Sequence, residues 1–207
     1  KEFDGQEIFY YFAVSDPVVT VRSDTYFLNV DAAEPVIYLF SPTEYVYGSR
    51  KVRFEIEVSE NVDLERSSGS RFASLCRNCN SYDKHITLKD GIHNVTIKAT
   101  DKAGNTAFLS TVFTVDSKEP KIHRIRPKDG SYAGKDTLFY VKYTEDNLQG
   151  VSLFYGNGSV QIEKQLSCES GKNRECSVSV DLKEFDGQEI FYYFAVSDPV
   201  VTVRSDT

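Results

Sequence analysis

Four cysteines, three histidines and 31 acidic residues carry whatever chemistry this chain of 207 residues can do. Cys168 and Cys176 flank Glu-Ser-Gly-Lys-Asn-Arg-Glu, a polar, glycine-containing stretch that reads as a hairpin loop. A disulfide between them closes a nine-residue loop, worth about 2.5 kcal/mol in the chain-entropy description; two free thiols bracketing the loop are the alternative. Cys76-Arg-Asn-Cys79 admits a disulfide, free thiols, or half of a metal site that His85 and His93 would complete. Zinc needs four ligands, there is no second Cys-x-x-Cys, and the histidine spacing departs from that of a zinc finger, so a disulfide is the expectation here too. Two disulfides suit an oxidising, extracellular setting. His85, His93 and His123 accompany no nucleophile motif, and Gly-x-Ser-x-Gly, P-loop and Gly-x-Gly-x-x-Gly patterns are all absent, so no enzyme is expected.

Composition narrows the partners. A net charge of −7 disfavours nucleic-acid phosphate. The longest apolar runs, such as Ile190 to Val196, are far too short to insert in a bilayer. Asn94-Val95-Thr96 and Asn157-Gly158-Ser159 match the glycosylation acceptor pattern, with Asn94 on the outward phase of a strand and Asn157 in a turn.

The elements that must position these residues come in repeats. Lys1 to Thr25, KEFDGQEIFYYFAVSDPVVTVRSDT, returns letter for letter as Lys183 to Thr207, an offset of 182 residues (183 − 1). Diverging repeats do not stay identical, so 182 reads as the period of a tandem array from which this chain is a window; a duplication made in cloning is the alternative. A weaker repeat lies inside it: VDAAEPVI at Val30 recurs as VDSKEPKI at Val115, an offset of 85 (115 − 30) that also carries Phe54 onto Phe139 and Glu60 onto Glu145. Each Asp-x-x-Glu-Pro reads as a linker. Between linkers the alternation has period two. Val52, Phe54, Ile56 and Val58 share one face and Lys51, Arg53, Glu55 and Glu57 the other; Val95, Ile97 and Ala99 face in. With turn signals at Asp90-Gly91, Gly104-Asn105, Asp129-Gly130 and Asp186-Gly187, the fold class is all-β, in sandwiches of about seven strands each.

The stretch DGIHNVTIKATDKAGNTAFLSTVFTVDSKEP resembles the closing half of the immunoglobulin-like domains found in tandem on bacterial and archaeal surface proteins: a penultimate strand, an Asp-x-x-Gly-Asn turn, a last strand and an Asp…Pro linker. FDGQEIFYYFAVSDPVVTVRSDT has the same frame without the Gly-Asn turn. The resemblance implies tandem immunoglobulin-like domains: residues 1–31 as the last two strands of one, 35–116 as a second, and 120–207 as a third that lacks the end of its last strand. In that frame one linker lies near the loop holding Glu60 and the turn holding Asp101, and the second domain has Glu145, Asp146 and Asp198 at equivalent places; with Glu119 of the second linker these are candidates for calcium at the domain junctions. Cadherin junctions are similar in kind, but their Asp-x-Asn-Asp-Asn linker is absent. A solvated acidic rim, with no cofactor, is the alternative.

Aligning Gly91 with Gly187 and Ala99 with Ala195 turns Phe191, Tyr193 and Ala195 inward. It turns Ile190, Tyr192 and Phe194 outward, where the other domain has Asn94, Thr96 and Lys98. An outward aromatic face reads as an interface with a neighbouring repeat or subunit, unless a loop of its own domain covers it. Tyr26, Phe27 and Leu28 supply the last strand that the chain's closing segment lacks, either covalently or as a donated strand. The functional expectation is a structural, adhesive segment of an extracellular repeat protein forming a cell-surface filament, fibre or stalk. The alternative is an immunoglobulin-like module of a secreted enzyme or adhesin that binds a surface glycan or protein.

Overall fold

Period-two alternation becomes burial in residues 3–69 and 71–206, which the computed structural model describes. In chain order the strands are β1 (Glu7–Tyr10), β2 (Ala13–Ser15), β3 (Thr20–Arg22), β4 (Tyr26–Asn29), β5 (Ile37–Ser41), β6 (Val46–Tyr47), β7 (Lys51–Ser67), β8 (Phe72–Thr87), β9 (Gly91–Thr100) and β10 (Thr106–Val115). There follow β11 (Lys121–Arg126), β12 (Asp136–Glu145), β13 (Gly150–Gly156), β14 (Gln161–Leu166), β15 (Gly171–Asp181), a single 3₁₀ turn at Lys183–Phe185, β16 (Phe191–Ser197) and β17 (Thr202–Arg204). The protein is all-β. No helix among the described residues is long and apolar enough to cross a membrane.

Two compact units emerge, and both are discontinuous in sequence. Unit 1 comprises Lys1–Tyr45, Lys51–Leu88 and Ile92–Thr114; unit 2 comprises Val46–Arg50, Lys89–Gly91 and Val115–Thr207. These borders differ from the contiguous spans 35–116 and 120–207 expected from the linkers. One reason is visible within unit 2. Arg50 donates to both oxygens of Asp90, at 3.2 and 2.6 Å, the Ser117 hydroxyl donates to the same carboxylate at 2.6 Å, and the Asp116 N–H donates to the Tyr47 carbonyl at 2.9 Å. The guanidinium and hydroxyl together hold the Asp90 carboxyl far below its ordinary range.

In unit 1 the long strand β7 serves two partners in turn. Its first half pairs with β5 (Ile37↔Val58, Leu39↔Ile56) and its second half with β9 (Asp63↔Thr100, Ser67↔Thr96), while β8 follows it throughout. The inward residues Val52, Phe54, Ile56 and Val58 of the first half and Val62 and Leu64 of the second are all buried, as are Val95, Ile97, Ala99 and Phe113 of β9 and β10. The register shifts between Glu57 and Leu64 mark the bend that lets one strand serve both places.

Unit 2 is a sandwich of a three-stranded sheet, β11-β12-β15, and a four-stranded sheet, β14-β13-β16-β17. Phe139, Val141 and Tyr143 of β12 meet Val151, Leu153 and Tyr155 of β13 and Phe194 and Val196 of β16 in the core. The stretch from Leu166 to Gly171 therefore joins one sheet to the other. It is not the hairpin loop its composition suggested, because β14 pairs with β13 whereas β15 pairs with β12.

The two identical segments fold the same hairpin in different surroundings. Ser15 bonds Thr20 as Ser197 bonds Thr202, and the Ser23 hydroxyl accepts from Phe12 as that of Ser205 does from Phe194. In the second copy this hairpin is laid against β13, and Phe194 and Val196 are 0% exposed. Phe12 and Val14, their counterparts, are 68% and 74% exposed. The local sequence thus specifies the hairpin, and only the facing sheet specifies its burial.

Candidate functional site

The structure closes both cysteine pairs. Cys168 bonds Cys176, and Cys76 bonds Cys79, with Cα separations of 5.8 and 6.2 Å. Cys168 lies just beyond β14 and Cys176 lies in β15 opposite Val141, so that bridge staples the two sheets of unit 2. The second bridge pins a bulge. Val62 faces Cys79 and Leu64 faces Cys76, so β8 spends one residue more than β7 there, and Asn78 takes up the left-handed turn with φ of 47° and donates its N–H to Asp63 at 3.1 Å. With both sulfurs in the bridge, the Cys₂His₂ alternative falls; His93 instead stacks on Phe113 at 5.6 Å, and His85 stands in β8 opposite Arg53.

The sequons lie in different settings. Asn94 is an exposed position of β9. Asn157 is half-buried and engaged: its side-chain oxygen accepts from the Ser159 and Val160 N–H groups, and its amide donates to Gln188 at 2.7 Å.

The expected outward face of Ile190, Tyr192 and Phe194 points inward. Phe194 is fully buried, while Ile190 and Tyr192 pack against the same core. The outward residue is Tyr193, which stacks on Phe154 at 4.9 Å and lies under the Arg204 guanidinium at 5.2 Å. The phase fails by one residue, and a one-residue slip inverts a strand. The Gly91–Gly187 alignment uses an offset of 96 (187 − 91), whereas the strand-ending Asp101 and Asp198, which occupy corresponding turns, are 97 apart (198 − 101). Tyr26, Phe27 and Leu28 are exposed on β4, which pairs with β1 in the register Tyr10↔Tyr26 and Phe9↔Phe27.

Tyr192 spans core and turn. Its ring meets Phe139 edge-on at 4.9 Å, and its hydroxyl donates to the Pro127 carbonyl. Burial pushes the phenol up to about 12. A folded value above the ordinary one means that the neutral phenol contributes stability which is present below pH 10 and lost as the pH rises towards 12. Tyr192→Phe is expected to cost about 1 kcal/mol at pH 8 through the lost hydrogen bond and to flatten the alkaline loss. Urea unfolding at pH 8 and pH 11 checks both.

Carboxylates gather in two places, one in each unit. Asp31, Glu60 and Asp101 place one oxygen each within 4.8 Å of the others, and so do Asp116, Glu145 and Asp198. Of the expected acidic candidates, Glu60, Asp101, Glu145 and Asp198 belong to these clusters. Glu119 is exposed and outside both, and Asp146 is an exposed ion-pair partner of Lys118 at 3.9 Å. Asp31 and Asp116 belong to the linker stretches, and their equal spacing of 15 from Asp16 and Asp101 marks them as corresponding positions.

The clusters differ in how their oxygens are satisfied. In unit 1, burial opposes ionisation of Asp101, but the Asn105 side chain at 2.7 Å and the N–H groups of Asn105, Gly104 and Ala103 outweigh it and lower its pKa. Both of its oxygens have partners, and Asp31 is exposed. In unit 2 all three carboxylates are buried, at 4%, 4% and 3% exposure. Asn147 donates its side-chain amide to Asp116 at 2.9 Å and its N–H to Glu145 at 2.7 Å; Val200 and Val201 donate to Asp198 Oδ1 at 2.6 and 2.7 Å. Asp198 Oδ2 is buried without a hydrogen-bond partner among the described residues. Burial, joined by the charges of Asp116, Asp198 and Asp146, raises the Glu145 carboxyl above its usual value.

No protein-family model matches the chain, and no curated protein is similar to it. Among solved structures, it is similar to a tetra-tandem repeat from the extending region of a large adhesion protein, with 14% identity and a TM-score of 0.49, over 96% of this chain and 55% of that one. It is also similar to fibronectin(III)-like modules of Clostridium thermocellum CbhA, with 13% identity and a TM-score of 0.37, over 82% of this chain and 91% of theirs. The chain thus spans about half the length of the adhesion-protein structure.

Proposed function

We propose that this chain is a structural, non-enzymatic segment of an extracellular tandem-repeat protein, whose immunoglobulin-like domains extend from the cell surface as an adhesive fibre or stalk. The observation that carries this reading is the pairing of β1 with β4 in the first copy of the repeated segment, from Glu7↔Asn29 to Tyr10↔Tyr26. In the second copy the corresponding residues, Glu189 to Tyr192, have Phe191 and Tyr192 paired with β13 on one side, and no strand of the described residues pairs with the other. A following Tyr-Phe-Leu-Asn segment, continuing the period after Thr207, is what that edge fits. Such a segment completes the four-stranded sheet with the register seen in the first copy, by main-chain bonding along an edge. Two disulfides, one across the sandwich of unit 2, suit an oxidising exterior and a load-bearing role.

Mass-spectrometric mapping of the intact native protein, read with electron micrographs of the cell surface, tests this. The expected result is FDGQEIFYYFAV at successive intervals of 182 residues in a filamentous, surface-exposed polypeptide. A compact intracellular protein without further periods would refute it.

A further inference from the structure

We propose that Asp116, Glu145 and Asp198 form a calcium-binding site within unit 2. Three carboxylates at 4% exposure or less form no ion pair with any described residue, and buried charge of one sign is costly without a counter-charge. Their spacing is that of a shared coordination shell. Oxygens bound to one Ca²⁺ at about 2.3–2.6 Å lie no more than about 5 Å apart, and one oxygen from each side chain falls within 4.8 Å of the other two.

The independent observation is Asp198 Oδ2, a buried oxygen with no hydrogen-bond partner among the described residues, in a carboxylate whose Oδ1 is already held by Val200 and Val201. Native structures rarely bury such an atom unless something absent satisfies it. The corresponding oxygen in unit 1 does have a protein partner, because the turn there contains Asn105, whose side-chain amide donates to Asp101 Oδ2. The Asp-Pro-Val-Val turn of unit 2 has no side-chain amide to offer. The turn alone does not leave the oxygen unpartnered either. Asp16, in the identical turn of the first copy, receives the same two backbone bonds but is exposed, so its other oxygen is not cut off from solvent. Only where this turn is buried beside Asp116 and Glu145 does an all-oxygen, anionic pocket arise, and that donor set selects a hard cation over zinc or copper. Ligands from three separate segments of unit 2 suit the adaptable shell of Ca²⁺ better than the strict octahedron of Mg²⁺.

The test uses the full chain, stripped with EDTA and titrated with CaCl₂ by calorimetry, with thermal unfolding followed in parallel. Calcium is expected to bind and to raise the melting temperature. Asp198→Asn keeps the oxygen that accepts from Val200 and Val201 and is expected to weaken binding by at least about tenfold, as is Glu145→Gln. Asp101→Asn, in the other cluster, is expected to bind as the wild type does. Near-UV circular dichroism establishes that each variant is folded; should Asp198→Asn fail to fold, Glu145→Gln decides. Three results would overturn the site: no calcium uptake by the wild type, undiminished affinity in a folded Asp198→Asn or Glu145→Gln, or equal loss in Asp101→Asn.

Discussion

Phe194→Ala is expected to destabilise unit 2 by about 3–5 kcal/mol, whereas Phe12→Ala, the same substitution in the same sequence, is expected to change stability by no more than about 0.5 kcal/mol. Phe194 is 0% exposed, stands opposite the fully buried Leu153, and meets Tyr192 edge-on at 6.2 Å. Truncation would therefore leave a cavity between sheets that cannot collapse without moving the facing β11-β12-β15 sheet. Phe12 is 68% exposed, with the Tyr10 ring at 5.9 Å as its aromatic contact. Because the flanking residues are identical for 25 positions, local propensity, turn chemistry and unfolded-state effects cancel in the comparison. What remains is tertiary burial. Urea unfolding of the two variants, followed by near-UV circular dichroism, measures the difference directly. Equal losses at both sites would show that Phe12 is covered in solution, and the dependence of that loss on protein concentration would show whether another copy covers it.

The same comparison explains what could be read from the residues and what could not. Strand content and most faces were legible, because β7 and β9 alternate and have one buried side: Val52, Phe54 and Ile56, then Val95, Ile97 and Ala99, are buried as their phase requires. In Ile190 to Phe194 apolar residues occupy both phases, so alternation does not distinguish the faces and only an anchor outside the strand defines the phase. The glycine chosen as anchor belongs to a turn preceded by a 3₁₀ segment at Lys183–Phe185 that the other domain lacks at this point; the strand-ending aspartates, held by backbone N–H groups in both turns, were the reliable mark. The acidic clusters were half legible for a related reason. Asp101, Glu145 and Asp198 stand at strand ends, where an acidic residue is conspicuous, and Glu60 stands at the bend within β7. Asp31 and Asp116 sit in the Asp-x-x-Glu-Pro stretches, where proline dominates the reading and conceals that the first residue points back into a domain. No pattern of residues could show that Asp198 Oδ2 lacks a partner, since the identical Asp16 is exposed.

Removing the bridge of unit 2 by Cys168→Ala with Cys176→Ala is expected to cost about 2.5 kcal/mol, the closure entropy of a nine-residue loop, which is roughly a 70-fold shift towards the unfolded state. For a domain of this size the melting temperature would fall by about 10–20 °C. Cys176 sits in the core opposite Val141, and Cys168 lies where the chain leaves one sheet for the other, so the bridge limits how far the two sheets can part in the unfolded chain. The rest of the crossing is held by weaker ties: the Tyr143 hydroxyl donates to the Glu169 carbonyl at 2.6 Å, Asn173 donates its N–H to Thr144 at 3.0 Å, and Arg174 donates to the Ser170 carbonyl at 3.0 Å. The pair Cys76→Ala with Cys79→Ala is expected to act differently. It opens a four-residue loop within β8, worth about 2 kcal/mol by the same reasoning, and its effect should be confined to the bulge at Asn78 and the facing stretch of β7. Hydrogen exchange read by mass spectrometry separates the two: the first pair should raise exchange across β12 and β15, the second only near residues 62–64 and 76–79. Thermal unfolding of the Cys168/Cys176 variant that matched the wild type would mean that the sheets of unit 2 are held together without the staple, and the load-bearing role assigned to it would be withdrawn.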